Sequence, residues 1–139
     1  MKVKDIMTQT VVKIGLEVPV AVAVRTLTHY NIGALPVCDE KGRLCGIVTD
    51  RDIVTRCLAA GMEPSKTQVK QVMTGTVKTI DTEADAAEAA RIMGSNQIRR
   101  LPVTEGERIC GILSLGDLSQ NEKAGSALSR ISQNRSDRN

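Results

Sequence analysis

The sequence predicts a mixed α/β (α+β) fold built from two tandem βαββα units, and three observations predict it. Val3 to Val37 aligns without a gap on Val69 to Val103, 66 positions later, so one unit occurs twice. Within each copy a short β-branched run gives way to apolar residues at helical spacing, and then to two short apolar runs around a turn. Hydrophobic residues make up 41% of the 139 and charged residues 25%. That is ordinary globular composition, which excludes general disorder and a fibrous class and allows a buried core.

The elements of the first copy follow in order. Residues 4 to 8 read as a short helical entry, and Val11 to Ile14 as a short strand. From Glu17 the residues Val20, Val24, Leu27 and Tyr30 recur at helical spacing, with Pro19 acceptable only in the first turn, which predicts a helix to Tyr30. Asn31-Ile32-Gly33 ends it. Leu35 to Cys38 and Leu44 to Thr49 then bracket Asp39-Glu40-Lys41-Gly42-Arg43, a hairpin with Gly where positive φ is cheap. Thr49 is suited to cap a helix from Asp50 to Ala60, stopped by Gly61.

The second copy repeats the order: strand Val77 to Ile80, helix Glu83 to Met93 capped by Asp81 or Thr82, hairpin Leu101 to Ser114, and a helix from Leu115. CGIVTDRDI (Cys45 to Ile53) falls on CGILSLGDL (Cys110 to Leu118) at an offset of 65, as a hairpin turn one residue shorter would produce. The organisation is motif 1 at 1–60, a linker at 61–68 marked by Pro64 and Ser65, motif 2 at 69–123, and a tail at 124–139. In that tail Ala124 to Ile131 is expected to be helical and the rest frayed.

Composition narrows the function. Tyr30 is the only aromatic residue, so a planar ligand must be clamped by aliphatic side chains and backbone, and aromatic platforms for single-stranded nucleic acid are missing. A net charge of +3 with Arg130, Arg135 and Arg138 near the end is weak support for a nucleic-acid partner. No run approaches 18 apolar residues, and Met1 to Thr8 holds Lys2, Lys4 and Asp5 without an apolar signal region, so a cytoplasmic protein with no membrane partner is expected. Cys38, Cys45, Cys57 and Cys110 form no CxxC and lie in apolar segments, as reduced core cysteines do. Cys38 and Cys45 flank the hairpin turn, which leaves a redox switch or a shared metal site open, although zinc would need further ligands. The one histidine, His29, falls near a helix C-terminus, where it suits the dipole.

The recurring pattern is hydrophobic-Pro-Val, a hairpin, then Gly-hydrophobic-hydrophobic-Thr/Ser-x-x-Asp. It occurs as ALPV (Ala34 to Val37) with GIVTDRD, and as RLPV (Arg100 to Val103) with GILSLGD. This double pattern resembles the CBS domain, named after cystathionine β-synthase, over about 115 of the 139 residues. The stretch IGALPVCDEKGRLCGIVTDRDI is similar to stand-alone bacterial CBS pairs (Bateman modules) of the hypoxic response protein type. The resemblance implies two motifs related by a pseudo-twofold axis, sheets packed together with helices outside, and two clefts. It also implies a homodimer, no catalysis, no cofactor, and an adenosine-containing ligand: AMP or ATP foremost, or ADP or S-adenosylmethionine. The regulated protein partner is not named by the sequence.

A carboxylate can accept hydrogen bonds from both hydroxyls of a ribose, and the resemblance puts Asp52 and Asp117 in that role, with the Thr49 and Ser114 hydroxyls three residues earlier. The same Thr/Ser-x-x-Asp spacing is also a helix capping box. Arg51 stands where the family can carry a phosphate-binding cation, and Gly116 replaces it in the second copy. Arg99 and Arg100 hold a second such place, against Gly33 and Ala34 in the first copy. In the family each cleft draws its Thr/Ser-x-x-Asp from one repeat and its first strand and pre-proline segment from the other. One cleft would thus unite Thr49, Arg51 and Asp52 with Thr76, Lys78, Ile98, Arg99 and Arg100. The other would unite Ser114 and Asp117 with Thr10, Val12, Ile32, Gly33 and Ala34, a set without a cation. Val12, Ile32, Ile98, Pro36 and Pro102 would form the adenine walls, a role that ordinary core residues can mimic. The first cleft is expected to prefer a phosphorylated ligand. The alternative class is a redox- or metal-responsive sensor on Cys38 and Cys45 with no nucleotide. An enzyme ranks last, since no nucleophile–base pair, metal cluster or Gly-rich phosphate loop is evident.

Overall fold

A computed structural model describes residues 1–119; the helix expected at 124–131 and the tail to Asn139 lie outside the described residues. In chain order the elements are β1 (Ile14–Gly15), α1 (Val20–Tyr30), β2 (Ala34–Cys38), β3 (Leu44–Thr49), α2 (Asp50–Ile53), β4 (Ile80–Asp81), α3 (Ala86–Asn96), β5 (Arg100–Glu105), β6 (Arg108–Ser114) and α4 (Leu115–Leu118). Short 3-10 turns at Val3–Asp5 and Val69–Gln71 open the two copies. The α/β class and the repeated βαββα order stand as the sequence predicts. Each copy makes a three-stranded sheet, β1-β2-β3 and β4-β5-β6, with the first pair parallel and the second antiparallel.

Packing cuts the chain elsewhere than the repeat does. One compact unit is Val12–Val77, and the other joins Met1–Val11 to the chain from Lys78 onward. Each entry turn therefore packs with the sheet and helix of the other copy. Val69 donates its N–H to Val18 O at 2.9 Å, and Thr74 exchanges two backbone bonds with Ile47. Equivalently, Val3 N–H reaches Ala84 O at 2.9 Å, and Thr8 exchanges two bonds with Ile112. The apolar anchors explain the exchange. Val69 and Val72 complete a core of Val20, Ala23, Leu27, Leu35, Val37, Val48, Ile53 and Cys57. Val3 completes one of Ile80, Ala86, Ala89, Ala90, Met93, Leu101, Val103, Leu113 and Leu118.

Several expected boundaries shift. The strands expected at Val11 to Ile14 and Val77 to Ile80 pair only at Ile14–Gly15 and Ile80–Asp81, because each follows directly on the chain's passage from one unit to the other. Helix α1 starts at Val20, with Pro19 held in extended backbone at the N-cap. Its buried stripe is Val20, Ala23 and Leu27, while Val24 and Tyr30 remain 40% and 53% exposed. Helix α3 starts at Ala86 and is capped by Asp85, whose side chain accepts from Ala87 N–H; Asp81 instead accepts from Glu83 N–H in the turn before it. Asn31 and Gln97 close α1 and α3 in the left-handed region at φ 53° and 52°, where Asn is tolerated better than most side chains. The helix after Thr49 is α-helical only to Ile53 and continues as a π-helical turn over Val54–Leu58.

Both hairpins carry a bulge. Cys38 lies opposite Leu44 and Thr104 opposite Ile109, which leaves Cys45 and Cys110 as the extra residues on their strands. The first turn closes with Asp39 Oδ1 accepting from Lys41 and Arg43 N–H, and with Gly42 at φ 80°. The second is one residue shorter, which accounts for the change of offset.

Candidate functional site

In the Val12–Val77 unit the site is built on the start of α2. Thr49 Oγ accepts from Asp52 N–H at 3.0 Å and Asp52 Oδ2 accepts from Thr49 N–H at 3.0 Å, a closed capping box. Asp52 is 8% exposed. Its carboxylate also accepts weakly from the Thr74 hydroxyl, at 3.4 and 3.5 Å, and pairs with Arg56 at 3.6 Å. Thr76, exposed, follows two residues after Thr74. The pre-proline segment reaches the same place, since Asp50 N–H donates to Gly33 O at 3.1 Å. Ile32 and Val12 are half-buried against this unit's core, Ala34 is half-buried, Pro36 is buried, and Arg51 is exposed.

The other unit repeats the geometry on α4. Asp117 Oδ2 accepts from Ser114 N–H at 2.8 Å, and Asp117 N–H donates to Ser114 Oγ at 3.2 Å. Leu115 N–H donates to Arg99 O at 3.0 Å, and Arg100 lies opposite Ser114 across the β5–β6 ladder. Ile98 is half-buried on the core and Pro102 buried, while Arg99, Arg100, Lys78 and Thr10 are exposed. Within units, then, the structure gathers Thr49, Arg51, Asp52, Thr76, Val12, Ile32, Gly33, Ala34 and Pro36 in one. It gathers Ser114, Asp117, Thr10, Lys78, Ile98, Arg99, Arg100 and Pro102 in the other.

Arg56 and Thr74 are the site neighbours that the sequence pattern passes over. Arg56 stands four residues after Asp52, an ion-pair spacing on a helix, and that was the available signal. A cavity of about 720 Å³ lies elsewhere, between Gly15–Pro19 and Cys38–Arg43 at the turn end of the sheet, whereas Ala34 and Thr49 pair at the opposite end. It contains none of the nucleotide-site candidates, although Cys38, one of the two thiols of the alternative reading, lines it. The matched Thr49 and Asp52 lie at the helix start, away from that cavity.

The cysteines are free thiols: Cys38 and Cys57 buried, Cys45 and Cys110 half-buried. Burial pushes the Cys38 thiol up, only partly offset by Lys13, and burial likewise raises Cys110. Among the described residues no group of three or more His, Cys, Asp or Glu is placed to hold a metal ion. His29 sits exposed in the last turn of α1, edge-on to Tyr30 at 4.7 Å between ring centres. No described helix is long and apolar enough to cross a membrane.

The family model described as "CBS domain" matches residues 3–59 and 69–122. Hypoxic response protein 1 of Mycobacterium tuberculosis is 33% identical over 84% of this chain and 82% of its own length. The crystal structure of Hypoxic Response Protein I with two coordinated zinc ions superposes with a TM-score of 0.77 at 32% identity, covering 87% of this chain and 98% of that one. The CBS domain pair of protein MJ0100, in complex with 5-methylthioadenosine and S-adenosyl-L-methionine, gives a TM-score of 0.70 at 30% identity over 86% and 94%. CBSX2 in complex with AMP gives 0.74 at 25% identity over 86% and 93%.

Proposed function

The chain belongs to the CBS domain family and carries that domain twice, and from that premise we propose that it is a non-catalytic regulatory module that binds an adenosine-containing nucleotide. One observation carries the reading. The two copies set Asp52 and Asp117 in the same capping-box geometry, each anchoring Oδ2 on a backbone amide. The two oxygens of a carboxylate offer about four lone-pair sites, so one held in a capping box keeps acceptor capacity for a ribose hydroxyl pair. The adenosine complexes of MJ0100 and CBSX2, proteins of similar fold, support the ligand class. Arg51, Arg99, Arg100 and Lys78 are exposed cations suited to phosphate, which favours AMP or ATP over a bare nucleoside. Val12, Ile32 and Ile98 keep part of their surface for an adenine wall, and Pro36 and Pro102 follow them in sequence, buried on β2 and β5.

Binding of this kind regulates by favouring one state of an assembly, and a homodimer or a regulated protein is the assembly we infer. The exposed apolar residues Val54 and Leu58, 54% and 53% exposed, suit a second copy.

A thermal-shift panel of AMP, ADP, ATP, adenosine and S-adenosylmethionine tests the reading. A ligand that binds the folded chain raises Tm with concentration; no shift with any of them at millimolar concentration overturns it. A second reading, a redox- or metal-responsive sensor on Cys38 and Cys45, draws on the likeness to a protein crystallised with zinc. The raised Cys38 thiol counts against it, since the thiolate is the form that binds metal or attacks disulfides. A native thiol count with metal analysis separates the two.

A further inference from the structure

Arg56 ties together the surroundings of Asp52. Its Nη1 is shared among Val72 O at 3.0 Å, Met73 O at 3.1 Å and the Thr74 hydroxyl at 3.2 Å, and it stands 3.6 Å from Asp52 Oδ1. Having accepted from Arg56, the Thr74 hydroxyl gives its own proton to the Asp52 carboxylate, at 3.4 and 3.5 Å from its two oxygens. The Thr49 amide holds Oδ2 from the other side at 3.0 Å. The terminal torsion of an aspartate is otherwise broad. Here it is held by the Thr49 amide, the Thr74 hydroxyl and an arginine braced on the backbone of a different segment, whose Val72 side chain is core.

We propose that Arg56 is a positioning residue for ligand recognition: braced on residues 72–74, it orients the Asp52 carboxylate toward the hydroxyl pair of a ribose. The inference rests on the nucleotide reading above. It also makes the two sites unequal for a reason separate from phosphate. In the second copy the residue 65 positions after Arg56 is Asn121, so the sequence supplies no arginine there. A preset carboxylate loses less freedom on binding than one that must be ordered by the ligand.

The test is calorimetric titration of AMP and 2′-deoxy-AMP in an Asp117→Ala background, which leaves the Asp52 site to be read alone. With Arg56 present, AMP is expected to bind more tightly than its 2′-deoxy form, because the missing hydroxyl leaves Asp52 short of a donor. Arg56→Met should weaken AMP about tenfold, as expected for a charge-assisted contact, and shrink the AMP to 2′-deoxy-AMP ratio. A merely structural arginine would not move that ratio. Arg56→Lys keeps the charge without the planar fork; it should fold and still lose the ratio, so a poorly folding Arg56→Met does not shield the proposal. Should both variants keep the parental ratio while AMP binds, the positioning role is wrong and the nucleotide reading survives. Should the unsubstituted protein bind no adenosine ligand at all, both are wrong.

Discussion

The backbone carbonyl of Thr74 stands 2.5 Å from the point a Cβ on Gly46 would occupy, closer than real side chains approach. Gly46 sits on β3, where the entry segment of the second copy lies against the first sheet through the paired bonds of Ile47 and Thr74. Gly111 repeats the arrangement on β6, with Thr8 O at 2.8 Å and Met7 Sδ at 2.6 Å from its virtual Cβ. The glycine of each Gly-hydrophobic-hydrophobic-Thr/Ser motif is thus a docking requirement for the exchanged segment. Gly46→Ala and Gly111→Ala are each expected to destabilise by about 1–3 kcal/mol through overpacking. Gly75→Ala, with no atom within 4 Å of its virtual Cβ, should stay within about 0.5 kcal/mol. Urea midpoints at constant m-value decide it; equal midpoints for Gly46→Ala and Gly75→Ala would show that the segment yields.

Much of this frame was legible in the chain. The ungapped repeat, the helical stripe through Val20 and Leu27, Gly42 in its turn and Thr49 as a cap are local signals, and local physics sets them. The exchange of entry turns was not legible, because Val3 and Val69 look like the start of whichever copy they precede; only packing decides which core they complete. The same holds for Asp85 displacing Asp81 and Thr82 as N-cap, since all three have capping side chains and the docking of Lys2 opposite Asp85 selects among them. Of the site, Thr49, Asp52, Ser114 and Asp117 could be read from spacing. Arg56 could not be tied to Thr74, since the 18 positions that separate them are bridged by tertiary structure alone.

Glu83 gives the exchanged N-terminal segment a pH dependence. Hydrogen bonds from Lys2 and Lys4, each at 2.8 Å, hold its carboxyl down at about 2 from an ordinary 4.5. The folded value is depressed, so the stabilisation is complete above the unfolded value and drains away as pH falls from 4.5 through about 2. All three groups are exposed, so the effect is screened by salt. Comparing Tm for the parent and Glu83→Gln across pH 2 to 7 should give a gap that is constant above about pH 5, closes toward pH 2, and narrows in 1 M NaCl. A gap that widens toward acid would contradict the ion-pair account.

Arg51 follows the α2 start, where the second copy has Gly116, so phosphate recognition should fall unevenly on the two aspartates. We expect Asp52→Ala to cost more AMP affinity than Asp117→Ala, with the difference between the two variants larger for AMP than for adenosine. Arg51→Ala should weaken AMP by about tenfold, more at low salt than at high, and leave adenosine nearly unchanged. Titrations with AMP, ATP and adenosine at two ionic strengths check this. Equal losses for AMP in the two aspartate variants, or an Arg51→Ala effect as large for adenosine as for AMP, would refute the assignment.

Val54 and Leu58 lie one turn apart on the π-helical turn after α2, both more than half exposed. Neither belongs to the unit's buried core, and burying their exposed surface against a second copy would contribute about 25 cal/mol per Å². A charge placed there should therefore act on assembly and spare the fold. Sedimentation of the unsubstituted protein at 100 µM is expected to give a dimer, and Leu58→Glu a single chain at the same concentration. The folding stability of the Leu58→Glu monomer, measured in urea at low protein concentration, should remain within about 0.5 kcal/mol of the parent. A parent that sediments as a monomer, or a Leu58→Glu variant that stays dimeric, would remove this surface from the interface.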